Sequence, residues 1–313
     1  MELPQEVQDI IQSDLTNVKS KYLNGIFSDL SKDYMTNTGT NKDFLKNKDY
    51  VLVYSLSRMN ATFSVIDYVL NKYDSYIGED IKTFLDVGAG MGTASINLLY
   101  HYSPKKIELV EKNKDMIALG KKILNNYDVD YLYHQCDIRD FDTDKKYDVV
   151  LASYFLSELD EKSRLNVVKK LWGMTNKHLI ICDTGTPDGY KNNMQIKNYL
   201  LELGGSLLLP CPTNNCPLTN DWCHFVTRVN RLKINMLVKN AQVPYEDEKF
   251  TYLIMAKTGS NILTNVVIRH PIKEKSIVKL KLCTKDKISD EIITKNNPLY
   301  KSARKVKIGD EIK

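Results

Sequence analysis

The sequence lacks the features that mark secreted and membrane-spanning proteins. It has no run approaching the roughly 18 uncharged apolar residues that a transmembrane helix needs. Its first residues are acidic, with neither the apolar core of a secretory signal nor the arginines of a mitochondrial transit peptide. We therefore expect no association with a membrane. We expect a protein of a bacterial-type cytoplasm, or of the mitochondrial matrix if the chain is already processed.

Cysteine and proline are also scarce, but they are not scattered. The chain of 313 residues has 6 cysteines and 9 prolines, and three of each fall within residues 206–225. A protein without a secretory signal keeps its thiols reduced, so clustered cysteines indicate a metal site rather than disulfides. Residues 206–225 are therefore predicted to form a Cys-rich, metal-binding insertion.

Excess charge of one sign is small overall but uneven along the chain. The formal net charge is +5, yet residues 260–313 hold 13 Lys and Arg against 6 Asp and Glu. A basic segment on a nearly neutral body suggests a polyanionic partner such as nucleic acid. The alternative is that these lysines form only a solvated surface.

Short apolar strands alternate with helices through the middle of the chain. Strands are predicted near residues 83–87, 107–110, 130–136, 147–154 and 179–182, with helices over 92–101, 113–126, 160–173 and 189–203. This alternation predicts a parallel sheet covered on both faces. Helices are also predicted over 4–34, 43–74 and up to about 240, and short strands follow from residue 250.

A glycine-rich loop follows the first predicted strand and opens a helix. Its glycines allow a tight turn and a close approach of ligand, and the helix start offers free N–H groups. Glu111, at the end of the second strand, can accept hydrogen bonds from ribose hydroxyls, and Asp137 from an adenine amino group. The predicted cofactor-binding residues are Asp86, Gly88, Ala89, Gly90, Gly92, Glu111, Asp137, Ile138 and Ser153.

Two cofactors use a loop of this kind. The nicotinamide fingerprint Gly-x-Gly-x-x-Gly would need glycine where Thr93 stands. The acidic Asp86 before the loop also suits the cationic methionyl end of S-adenosylmethionine (SAM) better than a pyrophosphate. We therefore predict a class I SAM-methyltransferase fold, Rossmann-like α/β. The sequence after Ser153 has neither an amine-methylating nor a cysteine-nucleophile motif, and no catalytic residue is identified.

The chain is predicted to divide into three regions. Residues 1–80 form an N-terminal helical region, and residues 81–257 form the SAM-binding domain that contains the 206–225 insertion. Residues 258–313 form a small basic β-domain.

The spacing of the clustered cysteines leaves the metal open. Cys211, Cys216 and Cys223 are separated by four and six residues, and Cys283 could supply a fourth thiolate. Zinc sites usually have pairs two residues apart, so the spacing leans toward an iron–sulfur cluster.

At these residues the chain resembles the small-ribosomal-subunit assembly group of methyltransferase-like proteins. That group includes a fungal mitochondrial small-subunit protein, an animal methyltransferase-like counterpart and bacterial homologues. The resemblance runs from about residue 45 to 310. It is carried by Leu209-Pro210-Cys211-Pro212, Cys216-Pro217-Leu218, Trp222-Cys223-His224-Phe225, Tyr245-Glu246-Asp247-Glu248-Lys249-Phe250 and Leu282-Cys283-Thr284.

The resemblance implies a 4Fe–4S cluster on Cys211, Cys216, Cys223 and Cys283, with zinc as the alternative. It also implies SAM at the glycine loop and contact with the small ribosomal subunit and its RNA. The residues predicted to hold RNA phosphates are Arg228, Arg231 and Lys233.

Three hypotheses follow for the function. The chain could methylate ribosomal RNA, or it could be a non-catalytic assembly factor with a vestigial or regulatory SAM site. A dinucleotide oxidoreductase fits the cysteines but not the loop. A monomer is expected.

Overall fold

The computed structural model describes residues 2–15, 20–36, 45–78, 80–231, 236 and 242–313. The chain forms two compact units. The first comprises Met1–Asn176 and Thr227–Glu248, and the second comprises Lys177–Val226 and Lys249–Lys313. The three-region division, with boundaries at 80/81 and 257/258, remains a prediction.

The first unit begins with helices. They are α1 (Gln5–Ser13), α2 (Ser20–Thr36), α3 (Lys48–Tyr54) and α4 (Asn60–Tyr76). The helix predicted over 4–34 is therefore described as two helices. Asn47 begins α3 by accepting hydrogen bonds from the N–H groups of Asp49 and Tyr50. A π-helical segment, Ser55–Met59, joins α3 to α4; such wide turns are frequent at functional sites.

A parallel sheet follows in the first unit. Its strands are β1 (Phe84–Val87), β2 (Lys106–Glu111), β3 (Asp130–Gln135) and β4 (Tyr147–Ser153), connected through α5 (Thr93–Tyr102) and α6 (Lys114–Leu124), with α7 (Glu161–Met174) after β4. They lie in the order β3-β2-β1-β4, and their pairings are parallel. All four residues of β1 are buried, as a central strand requires. This is the predicted Rossmann-like α/β arrangement, whose ligand crevice lies at the carboxyl ends of the strands.

The second unit contains antiparallel strand pairings that the alternation did not predict. Strand β5 (Thr175–Thr184) pairs antiparallel, from His178 onward, with β8 (Tyr245–Ala256). After α8 (Pro187–Glu202), strand β6 (Ser206–Leu209) also pairs antiparallel with β8. An antiparallel neighbour needs no helical crossover, so no helix pattern in the sequence indicates these pairings.

One predicted helical stretch is wrong in its first part. The chain was expected to be helical to about residue 240, but β7 (Phe225–Asn230) is a strand that pairs with β8. Phe225 and Val229 are buried, and three of the six residues are β-branched, a composition that favours strands. Most of the remaining stretch lies outside the described residues.

A small second sheet lies within residues 258–313, which were predicted to form a β-domain. It contains β9 (Val266–Val267), β10 (Ile272–Lys273), β11 (Ile277–Cys283) and β12 (Ile288–Thr294), and a short helix α9 (Tyr300–Ala303) follows. Val278, Leu280 and Leu282 alternate with lysines along β11 and pack into the core. None of the helices in the described part of the chain is long and apolar enough to cross a membrane.

Candidate functional site

The glycine loop adopts a conformation that only glycine accommodates easily. Gly88, Gly90 and Gly92 have φ values of 64°, 54° and 76°. A Cβ on Gly88 would stand 2.6 Å from the ring of Phe155, so this position also lacks room for a side chain. The N–H groups of Gly88 and Ala89 both donate to the Val110 carbonyl oxygen, at 2.9 and 3.1 Å. The loop is therefore held against β2.

Asp86 lies beneath this loop. It is fully buried, and its Oδ2 accepts from the Ser95 hydroxyl at 2.7 Å and the Ser95 N–H at 3.1 Å. Its Oδ1 is buried without a hydrogen-bond partner among the residues described. Burial raises the pKa of Asp86 to about 6, and the nearby charge of Glu111 adds to the rise. Asp86 thus ties β1 to α5 and lies behind the cavity wall.

A cavity of about 160 Å³ opens at the carboxyl ends of β1, β2 and β4. Seven of the nine predicted cofactor-binding residues line it: Gly88, Ala89, Gly90, Glu111, Asp137, Ile138 and Ser153. The other two, Asp86 and Gly92, are not part of the lining. The residues predicted from the sequence therefore converge here from separate segments of the first unit.

Glu111 has two roles in the geometry of this cavity. Its Oε2 accepts from the Gly90 N–H at 2.9 Å, and its Oε1 accepts from the Asn113 N–H at 2.8 Å. Each carboxylate oxygen has further lone pairs, so both can still accept from hydroxyl groups of a ligand. Glu111 is therefore a rigid acceptor fixed by the loop that it supports.

Asp137 also lines the cavity, but its carboxylate has a protein partner. Arg139 donates to it through its backbone N–H at 2.9 Å, through Nε at 2.9 Å and through Nη2 at 2.7 Å. The Arg139 hydrogen bonds hold the pKa of Asp137 below its ordinary value. Asp137 is consequently an ionised acceptor near neutral pH, with a fixed orientation.

Arg58 also lines this cavity, although it was not among the site residues predicted from the sequence. Its Nη2 lies 2.7 Å from Glu248 Oε1, and its guanidinium stacks over the Tyr154 ring at 5.7 Å. Tyr154 follows β4 with a φ of 58°, uncommon for a residue with a side chain. The sequence around Arg58 gave no sign of a partner 190 positions away.

The four predicted metal ligands line one second cavity. Cys211, Cys216, Cys223 and Cys283 all face it, together with apolar residues of the second unit. Cys283 comes from β11, whereas the other three belong to the 206–225 loop. All the described cysteines are free thiols. Among the residues described, no group of three or more His, Cys, Asp or Glu is arranged to hold a metal ion.

The electrostatics of this second cavity disfavour ionised thiols. Burial raises the pKa values of Cys211 and Cys283 to about 12, and the neighbouring thiols add to the rise. Burial and the charge of Cys211 raise the pKa of Cys223 well above its ordinary value. Four thiolates would therefore gather here only with a positive group among them.

Hydrogen bonds hold the Cys-rich loop in place. Arg269 donates through Nη2 to Asp221 Oδ2 at 2.6 Å and to the Trp222 carbonyl oxygen at 3.0 Å. Trp222 Nε1 donates to the Gly185 carbonyl oxygen at 3.1 Å, and Asn261 Nδ2 donates to that of Cys211 at 3.0 Å. The backbone around the cysteines is thus anchored to other loops of the same unit.

Two polar residues of α8, which the sequence analysis did not identify, also belong to this region. Tyr190 lines the cavity, with its hydroxyl 3.1 Å from Cys216 Sγ. Lys197 is buried and donates to the Asn214 carbonyl oxygen at 2.5 Å. Their helical spacing of seven could have suggested one shared face, but nothing local linked that face to the cysteines.

The predicted RNA-binding arginines already have acidic partners. Arg228 forms an ion pair with Asp247 at 2.9 Å and stacks on Tyr245 at 4.1 Å. Arg231 pairs with Glu246 at 3.0 Å. The third predicted residue, Lys233, lies outside the described residues. The two arginines are thus neutralised within the folded chain.

Comparisons with known proteins give one family model and several relatives. A family model described as mitochondrial small ribosomal subunit Rsm22 matches residues 48–313. The human ribosome assembly protein METTL17, mitochondrial, is 25% identical over 228 residues, covering 66% of this chain and 48% of the relative. Alpha N-terminal protein methyltransferase 1 of Dictyostelium discoideum is 27% identical over 154 residues, covering 45% of this chain and 54% of the relative. The chain spans about half the length of these curated relatives.

Solved structures give weaker similarity. The magnesium protoporphyrin IX methyltransferase of Synechocystis PCC 6803, solved with bound SAM, is 12% identical with a TM-score of 0.43, covering 78% of this chain and all of that one. The plantazolicin methyltransferase BpumL is 11% identical with a TM-score of 0.47, covering 76% and 98%. The family assignment rests instead on the match to the Rsm22 family model, which spans residues 48–313 of this chain. This chain belongs to the mitochondrial small ribosomal subunit Rsm22 family.

Proposed function

We propose that this chain is a SAM-binding, iron–sulfur-containing, methyltransferase-like protein that acts on or assembles the small ribosomal subunit. The proposal is supported mainly by two cavities in this Rsm22-family chain, each lined by residues that were predicted to bind a cofactor. One cavity contains the glycine loop, and the other contains four cysteines. The compartment would be wherever that subunit is assembled, the cytoplasm or the mitochondrial matrix, and the chain would act as a monomer.

The first cavity supports SAM through its charge and its shape. The ionised Asp137 and the acceptor Glu111 line it, and the carboxyl group of Asp86 lies buried beneath the loop. This arrangement favours a ligand with a cationic sulfonium and ribose hydroxyls over a pyrophosphate, which would meet several negative charges. Thr93, where a nicotinamide fingerprint has glycine, is buried at the start of α5.

The second cavity supplies the donor set that a cluster needs. Four thiols from two segments of the chain line it, and cysteine thiolates are the usual ligands of a 4Fe–4S cluster. The preference for a cluster over zinc rests on the spacing of the cysteines, because zinc sites usually have pairs two residues apart. A bound cluster would join the Cys-rich loop to β11 and could supply a redox-sensitive structural link.

RNA contact is supported by the basic C-terminal region and by the position of Arg228. Its side chain is 59% exposed and stacked on Tyr245, a geometry that also suits a nucleotide phosphate or base. The pairs with Asp247 and Glu246 would have to exchange for phosphates. Such contacts would position the chain on RNA without specifying sequence.

A second candidate function is that of an assembly factor that does not turn SAM over. The π-helical segment places Arg58, paired with Glu248, in the wall of the SAM cavity. An ion pair in the wall is compatible with a site that senses SAM as well as with one that transfers its methyl group.

The test uses protein purified without oxygen, methyl-labelled SAM and immature small subunits from cells that lack the protein. Label in RNA that disappears in Gly88→Ala would establish a methyltransferase. Absence of label, with SAM bound and the subunit engaged, would establish the assembly factor. Failure to bind SAM, or failure to bind the subunit, would refute the corresponding part of the proposal.

A further inference from the structure

One face of α8 is directed at the four-cysteine cavity. Tyr190, Asn193 and Met194 line that cavity. Lys197 stands three residues beyond Met194, so the four residues follow the i, i+3, i+4, i+7 spacing of a single helix face. The helix therefore brings a lysine to the edge of a site built from thiols.

The burial of Lys197 is unusual for a lysine. The residue is only 2% exposed, and its ammonium donates to the Asn214 carbonyl oxygen at 2.5 Å. A neutral carbonyl satisfies one hydrogen bond but supplies no countercharge. Burying a cation costs free energy unless a negative partner compensates for it.

The same face of α8 meets the Cys-rich loop at the cavity. Lys197 holds the carbonyl of Asn214, two residues before Cys216, and the Tyr190 hydroxyl lies 3.1 Å from Cys216 Sγ. Thiolates of this cavity would supply the negative partner that the Asn214 carbonyl does not.

We propose that Lys197 is the built-in countercharge of the four-thiolate site, and that it stabilises a bound cluster and tunes its reduction potential. The inference rests on the proposed cluster. Four thiolates give such a cluster a negative charge, which becomes more negative on reduction. A buried cation beside it therefore favours binding, and it favours the reduced state over the oxidised state.

The test compares Lys197→Gln, which keeps a hydrogen-bond donor for Asn214 but loses the charge, with Lys197→Arg, which keeps the charge. Lys191→Gln is the matched control, because Lys191 is an exposed lysine of the same helix. Each variant is loaded anaerobically with iron and sulfide. Iron content, the rate of cluster loss to a chelator and the midpoint potential are then measured. Thermal melting of the unloaded proteins checks folding.

Lys197→Gln should make the cluster about tenfold harder to reduce, which for one electron corresponds to about 59 mV lower potential. This is the size expected of one charge at roughly 10 Å and an effective dielectric of about 20. The same variant should lose its cluster faster, whereas Lys197→Arg and Lys191→Gln should resemble the wild type.

If Lys197→Gln and the wild type have equal midpoint potentials and lose their clusters at equal rates, this inference is overturned, but the proposed cluster is not. Equal changes in Lys197→Gln and Lys197→Arg would also overturn it, because packing and not charge would then be responsible. A wild-type chain that takes up no iron would refute the proposed cluster, and this inference with it.

Discussion

Replacing Asp86 by asparagine should change the stability of the unliganded protein in a pH-dependent way. Burial raises the pKa of Asp86 from an ordinary 3.8 to about 6, so the folded state binds a proton more tightly than the unfolded state. The free energy of unfolding therefore falls as pH rises from about 4 to about 6. Above that window, the ionised carboxylate lowers the free energy of unfolding by about 3 kcal/mol, because the pKa is raised by about 2 units and each unit corresponds to 1.36 kcal/mol.

The substituted side chain in Asp86→Asn keeps an acceptor for Ser95 but cannot ionise. The variant should therefore gain stability relative to the wild type by about 2 kcal/mol more at pH 8 than at pH 4.5, where most of the folded-state Asp86 is still protonated. The assay is urea unfolding of both proteins at the two pH values. The same variant should bind SAM more weakly at pH 8, because it lacks the buried negative charge beneath the glycine loop.

Asp137→Asn is a control whose stability should depend on pH in the opposite direction. Its Arg139 partner lowers the pKa of Asp137, so this carboxylate stabilises the fold above its unfolded pKa and loses that effect as pH falls. Asp137→Asn should therefore be relatively more destabilising at pH 8 than at pH 4.5. A stability difference between Asp86→Asn and wild type that is independent of pH would refute the reasoning about Asp86.

Three further predictions concern the other parts of the molecule. Gly88→Ala should abolish SAM binding measured by calorimetry, and lower stability by roughly 1–3 kcal/mol, because its Cβ meets an aromatic ring 2.6 Å away at a positive φ. Cys211→Ser should reduce iron content and melting temperature, whereas Cys136→Ser, outside the predicted ligands, should not; unchanged iron would remove Cys211 from the ligand set. Arg228→Gln should weaken binding to small-subunit RNA in a filter assay and Asp247→Asn should strengthen it, by roughly three- to tenfold each at low salt, and the opposite order would exclude the phosphate role.

The first site could be predicted because its signals are local. A buried strand, a glycine loop and a helix follow one another within about 20 residues, and Glu111 ends the next strand. Parallel order then brings the strand ends together. The same locality made Asp86 look like a ligand contact, although it lies behind the wall, bonded to Ser95.

The parts that were not predicted depend on distant contacts. From the sequence alone, Arg58 looks like an ordinary charged residue on a helix. Its contact with Glu248, 190 positions away, is visible only in the structure. Lys197 could be recognised as part of the second site only from the structure, which shows that α8 faces the cysteines. Strand β7 was assigned to a helix because six residues cannot show a reliable period, and its pairing with β8 decides its conformation.

The most direct test of the account is native mass spectrometry of the chain purified without oxygen and mixed with SAM. We predict a species equal to the 36.0 kDa chain plus one 4Fe–4S cluster plus one SAM. Gly88→Ala should lose only the SAM increment, and Cys211→Ser should lose the cluster increment. A chain that carries a single zinc ion or no metal, and that gains no mass with SAM, would contradict the account.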